Sequence, residues 1–559
     1  MPVWPTFVAI VLIAASPSAA SAAPAGPGHA AIASAHTLAT QAGFEVLAKG
    51  GNAFDAAVAV ASTLSVVEPQ SSGLGGGGFF LLHRAGSSSD VMLDARETAP
   101  AAVAAKEYLD AAGKLDRDKA LNGPLSAAIP GEPAALVWLA GHYGKLPLKQ
   151  SLAPAIRIAR DGFQPDARFL RELGYRKEVM QRYPASTALF LPDGQLPKAG
   201  WTMKDPDLAH TLEAIAAEGN QAFYHGALAA RLVAGVRAAG GNWSVKDLAT
   251  YTAKERAPIT LDYRDWHIVT ASPPSSGGIA LAEMFNILSG YDLAKLDRVH
   301  RVHLIVEAMR RAYRDRAEYL GDPDYVDMPV PLLTSPQYAA GLRASILPDK
   351  ATPSNMLPGY LVSPDGTHTT HFSIIDADGN MVSATQTVNL PFGSCMVVAG
   401  TGFLLNDEMD DFALEAGVPN AYGLVGNNAN APKPGHRPLS SMTPTFVIGK
   451  DRVGVIGTPG GSRIITMVFE GILAFIDGEL PRQIVADKRF HHQYLPDVVS
   501  AEPDTFSPAE LKSLAAMGYT VNQGEHRWGF MNVVSWDRKT NQLHAASDPR
   551  GTSGSGVVK

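Results

Sequence analysis

Two threonines stand side by side at Thr369-Thr370, inside the run Thr367-His368-Thr369-Thr370-His371-Phe372-Ser373. A threonine hydroxyl is a weak nucleophile at neutral pH and needs an adjacent base. Inside a chain its own nitrogen is an amide. As the first residue of a chain it carries an α-amine, with a pKa of about 7.7–8.0, which can take up a proton near neutrality. An ordinary strand start is the other reading of so short a run, because threonine is common in strands. Phe372 to Asp376 reads as a strand and Met381 to Thr387 as a second, with Asp378-Gly379 as the hairpin signal between them. A two-residue turn pairs 369 with 388, and a three-residue turn pairs 369 with 389. Either way Thr387 and Asn389 are expected across from the double threonine.

Three further stretches carry groups suited to handling charge. Met92-Leu93-Asp94-Ala95-Arg96-Glu97 puts charged residues at a strand end. A guanidinium there grips a carboxylate with two parallel hydrogen bonds, or it serves as a structural partner of Asp94 or Glu97. Asn406-Asp407-Glu408-Met409-Asp410-Asp411 is an acidic cluster, suited to an ammonium group or to the positive end of a helix. Gly457-Thr458-Pro459-Gly460-Gly461-Ser462-Arg463 follows a strand and opens a helix. Adjacent glycines at a helix start present backbone N–H groups to an anion, or simply form a tight turn.

The run His-Thr-Thr-His-Phe-Ser closely resembles the autoprocessing site of the gamma-glutamyltransferases, also called glutathione hydrolases, which are N-terminal-nucleophile enzymes. The resemblance extends from about residue 29 to 551, with its motifs in the family's order. It implies an α+β fold, a four-layer αββα sandwich formed jointly by two subunits cut from one chain. The large subunit would be residues 23–368 and the small one 369–559. It implies that His368–Thr369 is cut by the protein itself and that Thr369 is the nucleophile, with Thr387 placed beside it by the hairpin. Gly460 and Gly461 would form the oxyanion hole. Arg96, helped by Ser440 and Ser441, would bind the substrate α-carboxylate. Glu408 and Asp411, with Asn389, would bind its α-ammonium, so that the two sets, standing opposed, read both ends of a zwitterion. Position 408 holds Glu, where some bacterial relatives have Gln. Tyr422, in Pro419-Asn420-Ala421-Tyr422-Gly423-Leu424, would close a lid, although a plain surface loop has the same composition. The implied substrates are glutathione and other gamma-glutamyl compounds, with water, amino acids or peptides as acceptors and no cofactor or metal. A cephalosporin or glutaryl acylase of the same superfamily is the nearer alternative. A non-catalytic periplasmic binding protein for gamma-glutamyl ligands is the more distant one.

The chain must also hold these groups in place and deliver them to a compartment. Its 559 residues are 46% hydrophobic and 18% charged, a composition that suits a well-packed fold. A net charge of −7 leaves no basic footprint for nucleic acid. Cys395 is the sole cysteine, so no intrachain disulfide can form. Phe7 to Ala15 is apolar but too short to span a bilayer, and Ala20-Ser21-Ala22 resembles a signal-peptidase site. A signal peptide of residues 1–22 and a periplasmic or secreted protein are expected, although Met1 to Pro5 contains no Lys or Arg. No later stretch has the apolar length of a membrane helix.

Helices are expected over Thr37–Lys49, after the Asn52 cap, after Pro130-Gly131, over Leu148–Ala159, after the Pro273–Gly278 loop, and from about Val302 to Gly321. The glycine run Gly73–Gly78, before the strand Phe79–Leu82, suits backbone packed against backbone. Arg310, Arg311, Arg314 and Arg316 read as a solvated helix face. The Pro-, Ser- and Gly-rich region from there to His368 reads as a mobile loop leading to the cut. Arg489-Phe490-His491-His492-Gln493 invites a metal reading, but no spacing completes a ligand set.

Overall fold

In the computed structural model the described residues are 26–357, 369–551 and 554–558. The leader and His368 lie outside them. Seven strands form one antiparallel sheet, in the spatial order β16 (Gly554–Val558), β1 (Ala30–Ser34), β7 (Thr370–Ile375), β8 (Met381–Thr387), β2 (Gly77–His83), β3 (Val91–Ala95), β4 (Lys254–Arg256). A second antiparallel sheet runs β15 (Gln542–Ser547), β14 (Asn532–Asp537), β10 (Arg452–Gly457), β9 (Thr445–Ile448), β6 (Trp266–Thr270), β5 (Ile259–Tyr263). A small third sheet holds β11 (Phe490–His491), β12 (Val499–Ala501) and β13 (Val521–Gln523).

Both faces of β2 are covered, so Phe79 to Leu82 reads as a continuous apolar run rather than an alternating one. Successive side chains still point opposite ways. In β2, Phe79 and Leu81 join the core that includes Phe446, Val453 and Val455 of the second sheet. Phe80 and Leu82 join the core shared with α1 (Thr37–Ala48) and α2 (Ala53–Val67). The helices Gly277–Leu288, Arg298–Tyr319 and Ile464–Ile476 contribute to the first of these cores from beyond the second sheet. The layers are therefore helix, sheet, sheet, helix, the four-layer αββα sandwich that the resemblance implied. The expected Asn52 cap is present, and the Asp55 carboxylate accepts the Asn52 N–H in return.

The β7–β8 hairpin differs from expectation. Ile375 pairs with Met381 and Thr370 with Gln386, and the Asp376 N–H donates to Asn380 O at 3.0 Å, so the turn is the three residues Ala377–Gly379, earlier in the chain than either expected turn register allows. The cause is the Asp376 carboxylate. It accepts the N–H groups of Asp378 (3.0 Å), Asn380 (2.9 Å) and Ala53 at the start of α2 (2.8 Å), holding the turn in this register. Extended by one residue, this register sets Thr369 opposite Thr387.

On the inter-sheet face β7 and β8 turn polar. Ser373 Oγ donates to Asn532 O at 3.0 Å and Ser383 Oγ to Ile456 O at 3.3 Å, tying the two sheets together. His371 lies between them, 2.8 Å from Thr385 Oγ1, and burial pushes its pKa down to about 3, so it is neutral at pH 7.

Two further expectations need correction. Arg310, Arg311 and Arg316 are 1%, 1% and 5% exposed, and Arg314 is half-buried, so they are not a solvated face. Glu307 one turn back pairs with Arg310 (3.3 Å) and Arg311 (2.6 Å), while Ser345, Thr352 and Asp497 reach them from distant segments. The region read as a loop up to His368 contains the helices Val330–Leu333 and Pro336–Ala344.

Candidate active site

Thr369 immediately precedes β7 and Thr387 ends β8, which brings their hydroxyl oxygens to 3.5 Å. Thr369 is 3% exposed. Thr387 Oγ1 also accepts the Asn389 N–H at 2.7 Å, pinning a bend in which Asn389 has φ 76°. Asn389 Nδ2 donates to Asp407 O at 2.9 Å, which ties this bend to the acidic segment. Thr370 points the other way, and its hydroxyl donates to Glu68 Oε2 at 3.0 Å.

Arg96 follows β3. Its backbone is clamped from both sides. Its N–H donates to Asp94 Oδ1 (2.9 Å), and its carbonyl accepts from Tyr251 OH (2.9 Å) and Arg437 Nη1 (2.7 Å). Its buried guanidinium donates from Nε to Pro438 O at 3.1 Å. The two remaining nitrogens each meet a carboxylate at 2.5 Å, Nη1 with Glu408 and Nη2 with Asp411. Glu97 stands 3.6 Å from Nη1. The carboxylates and Arg96 are thus in contact rather than opposed across an empty pocket. A short 3₁₀ turn, Glu408–Asp411, aims both acids at the same guanidinium.

Acid outnumbers its immediate partner here. Burial pushes Glu97 up to about 7 and holds Glu408 well above the usual carboxylate range, despite the opposing pull of Arg96. Glu408 Oε1 is buried with no hydrogen-bond partner. An unpaired buried carboxylate oxygen is costly, and an incoming ammonium would satisfy it.

The oxyanion candidates lie on the turn from β10 into the helix Ile464–Ile476. Gly460 has φ 147° and Gly461 φ 57°, conformations that only glycine adopts readily. A side chain at Gly460 would also have to displace the flexible end of Met467. Among the described residues neither N–H has a hydrogen-bond acceptor. Ser440 and Ser441 sit on a strap held by the Pro273–Gly278 loop. Ser440 N donates to Pro274 O at 2.9 Å and Ser276 N to Ser440 O at 2.8 Å.

One cavity is lined by Arg96, Thr369, Thr387, Asn389, Glu408, Asp411, Tyr422, Ser440, Ser441 and Gly461. Of the residues singled out from sequence, Gly460 lies one position outside that lining, and His368 lies outside the described residues. Sequence reasoning missed Leu424, Met442 and Ile464, which complete the wall. Each is next to or within a quoted motif, but an apolar side chain carries no signal of its own there. The cavity is about 20 Å³, room for about one water. Tyr422 closes it, being 5% exposed with its hydroxyl donating to Asn389 O at 2.7 Å. The segment around Tyr422 is anchored by Asn420 Nδ2 to Asp411 (2.9 Å), Ala421 N to Asp410 (2.8 Å) and Gln493 Nε2 to the Tyr422 and Gly423 carbonyls (3.2 Å each). The role of Gln493 was hidden beside two histidines. Those histidines are occupied elsewhere, His491 with Thr466 and Gln493, His492 with Asp497. Among the described residues no group of three His, Cys, Asp or Glu is placed to hold a metal ion.

Known proteins share this arrangement of chain. The sequence model of the family described as Gamma-glutamyltranspeptidase matches residues 39–558. A glutathione hydrolase proenzyme of Escherichia coli is 41% identical over 525 residues, 93% of this chain and 90% of its own length. One from Pseudomonas sp. is 42% identical over 89% of this chain and 88% of its own. Among solved structures, a cephalosporin acylase from Bacillus halodurans superposes with a TM-score of 0.83 at 28% identity, covering 98% of this chain and 99% of that one. A Helicobacter pylori gamma-glutamyltranspeptidase chain gives 0.56 at 36% identity, covering 58% of this chain and 93% of that one. The acylase shares the fold at lower identity, whereas the family model and the relatives at 41–42% agree along nearly the whole sequence. The chain belongs to the gamma-glutamyltranspeptidase family and is a gamma-glutamyl-transferring enzyme.

Proposed function

We propose that the chain cuts itself between His368 and Thr369 and then moves gamma-glutamyl groups from glutathione and related amides to water or to the amines of amino acids and peptides. The pieces 23–368 and 369–559 stay together as a heterodimer. The freed α-amine of Thr369 takes the proton from its own hydroxyl as Oγ1 attacks the γ-carbonyl carbon. Thr387, 3.5 Å away, orients that hydroxyl. The carbonyl oxygen gains negative charge and is met by the N–H groups of Gly460 and Gly461; one such donor is worth about 3–4 kcal/mol in comparable sites. The C–N bond then breaks, the proton passes to the departing nitrogen, and a gamma-glutamyl ester of Thr369 remains. Water or an acceptor amine, deprotonated by the same α-amine, attacks the ester and restores the hydroxyl.

Recognition proceeds by ion-pair exchange. The substrate α-carboxylate takes over the Arg96 nitrogens now held by Glu408 and Asp411, with Ser440 and Ser441 adding hydroxyl donors. The displaced acids, with Asn389, receive the α-ammonium. Charge balance is kept, so the buried groups are never left uncompensated. The observation that carries this reading is the single cavity in which Thr369, Arg96, Glu408, Asp411 and the serine pair meet. A glutaryl acyl group has no ammonium and leaves Glu408 and Asp411 without a partner, which disfavours the acylase reading. Among the described residues no helix is long and apolar enough to cross a membrane. We propose export, with the mature protein beginning after about Ala22.

The test is a denaturing gel, N-terminal sequencing and release of the anilide from a gamma-glutamyl anilide. Wild type should give two bands, the smaller starting Thr-Thr-His-Phe-Ser. Thr369→Ala should give one band and no activity, and Thr369→Ser should still cut, more slowly. Two bands from Thr369→Ala, or a new N-terminus at Thr367 or Thr370, would refute the assignment.

A further inference from the structure

The helix Arg298–Tyr319 and the Pro273–Gly278 loop meet behind Ser440 and Ser441, outside the cavity wall. Arg316 lies at that junction, almost fully buried. Its Nε donates to Ser276 Oγ at 3.0 Å, and its Nη2 to Ser441 Oγ at 3.4 Å. Arg310 and Arg311 on the same helix both reach Glu307. Among the described residues Arg316 has no carboxylate within ion-pair distance. Burial, only partly offset by Tyr313 and Asp411 and reinforced by Arg96, pushes its guanidinium below the ordinary value. A buried cation without an acid is costly, and it gains most from an anion arriving close by.

The hydrogen-bond directions say where that anion would be. Ser441 Oγ, by accepting from Arg316, has its own O–H left to donate, and Ser441 lines the cavity. Ser276 Oγ, gripped by Arg316 Nε, donates in turn to Ser440 O at 2.7 Å. One guanidinium thus orders both serines of the pair. We infer that Arg316 is a positioning residue for the substrate α-carboxylate, fixing Ser441 as a donor and placing a second positive charge behind it. This inference rests on the α-carboxylate pocket proposed above.

The test compares competitive inhibition by L-glutamate and by 4-aminobutanoate, the same skeleton without the α-carboxylate, using a gamma-glutamyl anilide as substrate. Wild type, Arg316→Met, Arg316→Lys, Ser441→Ala and the double variant Arg316→Met/Ser441→Ala are measured after a gel shows that each is cut. Arg316→Met should weaken glutamate by about 10- to 100-fold, the range for a hydrogen bond to a charged group, and leave 4-aminobutanoate within about twofold. In the Ser441→Ala background the same change should add little, because contacting residues couple. Arg316→Lys keeps the charge without the fork and should lose part of the glutamate affinity only. If Arg316→Met is not cut, Arg316→Lys carries the test, and unchanged glutamate affinity in it overturns the inference. Equal loss of both inhibitors, or additive losses in the double variant, also overturns it. A wild type that binds both inhibitors equally removes the pocket and this inference together. A discriminating wild type matched by Arg316→Met removes this inference alone.

Discussion

Replacing Arg96 with methionine should cripple recognition while sparing the proposed self-cut. The guanidinium touches Glu408 and Asp411 at 2.5 Å each and is fully buried. Truncating one member of a buried, hydrogen-bonded charge pair costs on the order of 2–5 kcal/mol. At 1.36 kcal/mol per decade this is roughly 30- to 5000-fold in affinity. The contacts point toward the upper part of that range, because in the proposed pocket Arg96 would act on both ends of the substrate. Burial holds Glu408 well above the carboxylate range, and Arg96 is the main group opposing that. Without Arg96 nothing of comparable strength opposes burial, so Glu408 is pushed further toward its protonated form and holds the ammonium less well as the carboxylate loses its guanidinium. Binding lost equally in ground and transition states raises KM and leaves kcat nearly unchanged. Kinetics with a gamma-glutamyl anilide, on protein shown by gel to be cut, measure this directly. Arg96→Lys, which keeps a charge but not the two-pronged geometry, should fall in between. A processed Arg96→Met enzyme with KM within about threefold of wild type would refute the reasoning, since no buried charge contact to substrate is that weak.

Glu408→Ala and Asp411→Ala should each damage turnover of gamma-glutamyl substrates far more than of glutaryl ones, and equal losses on both would mean that the acids are structural. Tyr422→Phe removes one neutral hydrogen bond, about 0.5–1.5 kcal/mol, so the lid should open more often. Covalent labelling of Thr369 by a small gamma-glutamyl-like electrophile should then speed up by roughly 2- to 10-fold, and an unchanged rate would mean that this contact does not keep the cavity shut. Burial pushes Glu132 up to about 8 from an ordinary 4.5. The native state therefore holds a proton that the unfolded state releases between those values, and stability falls as pH rises through that window. Glu132→Gln lacks this term, so its Tm relative to wild type should climb from about pH 5 to about pH 8; a pH-independent difference would place the titration elsewhere.

Much of the candidate site was legible because its polar groups sit on local motifs. The double threonine, the Arg96 strand end, the Glu408–Asp411 turn and Gly460-Gly461 each advertise themselves within a few residues. The asparagine cap on α2 did so for the same reason. What was misread depended on partners far along the chain. The hairpin register shifted because the Asp376 carboxylate reaches both its own loop and Ala53. Arg310, Arg311 and Arg316 looked solvated because four arginines in seven residues usually are, and the groups that bury them come from residues 276, 345, 352, 441 and 497. Contact between Arg96 and the two acids was likewise invisible, since sequence separation says nothing of whether opposite charges face each other or touch.

The seven-stranded sheet has a consequence for the order of events. From one edge its strands alternate in origin: β16 from beyond residue 369, β1 from before it, β7 and β8 from beyond, then β2, β3 and β4 from before. Neither stretch can assemble that sheet alone, because each would leave gaps flanked by unpaired edges, which attract foreign strands. While the chain is continuous, each stretch meets the other at the high effective concentration of a tethered partner. Once the ladders have closed, the tether is redundant, and the bond before Thr369 can be broken without releasing either piece. Backbone continuity is thus a requirement of assembly and not of the assembled state. A small subunit synthesised by itself would be expected to need its counterpart present from the start, rather than added after it has collapsed.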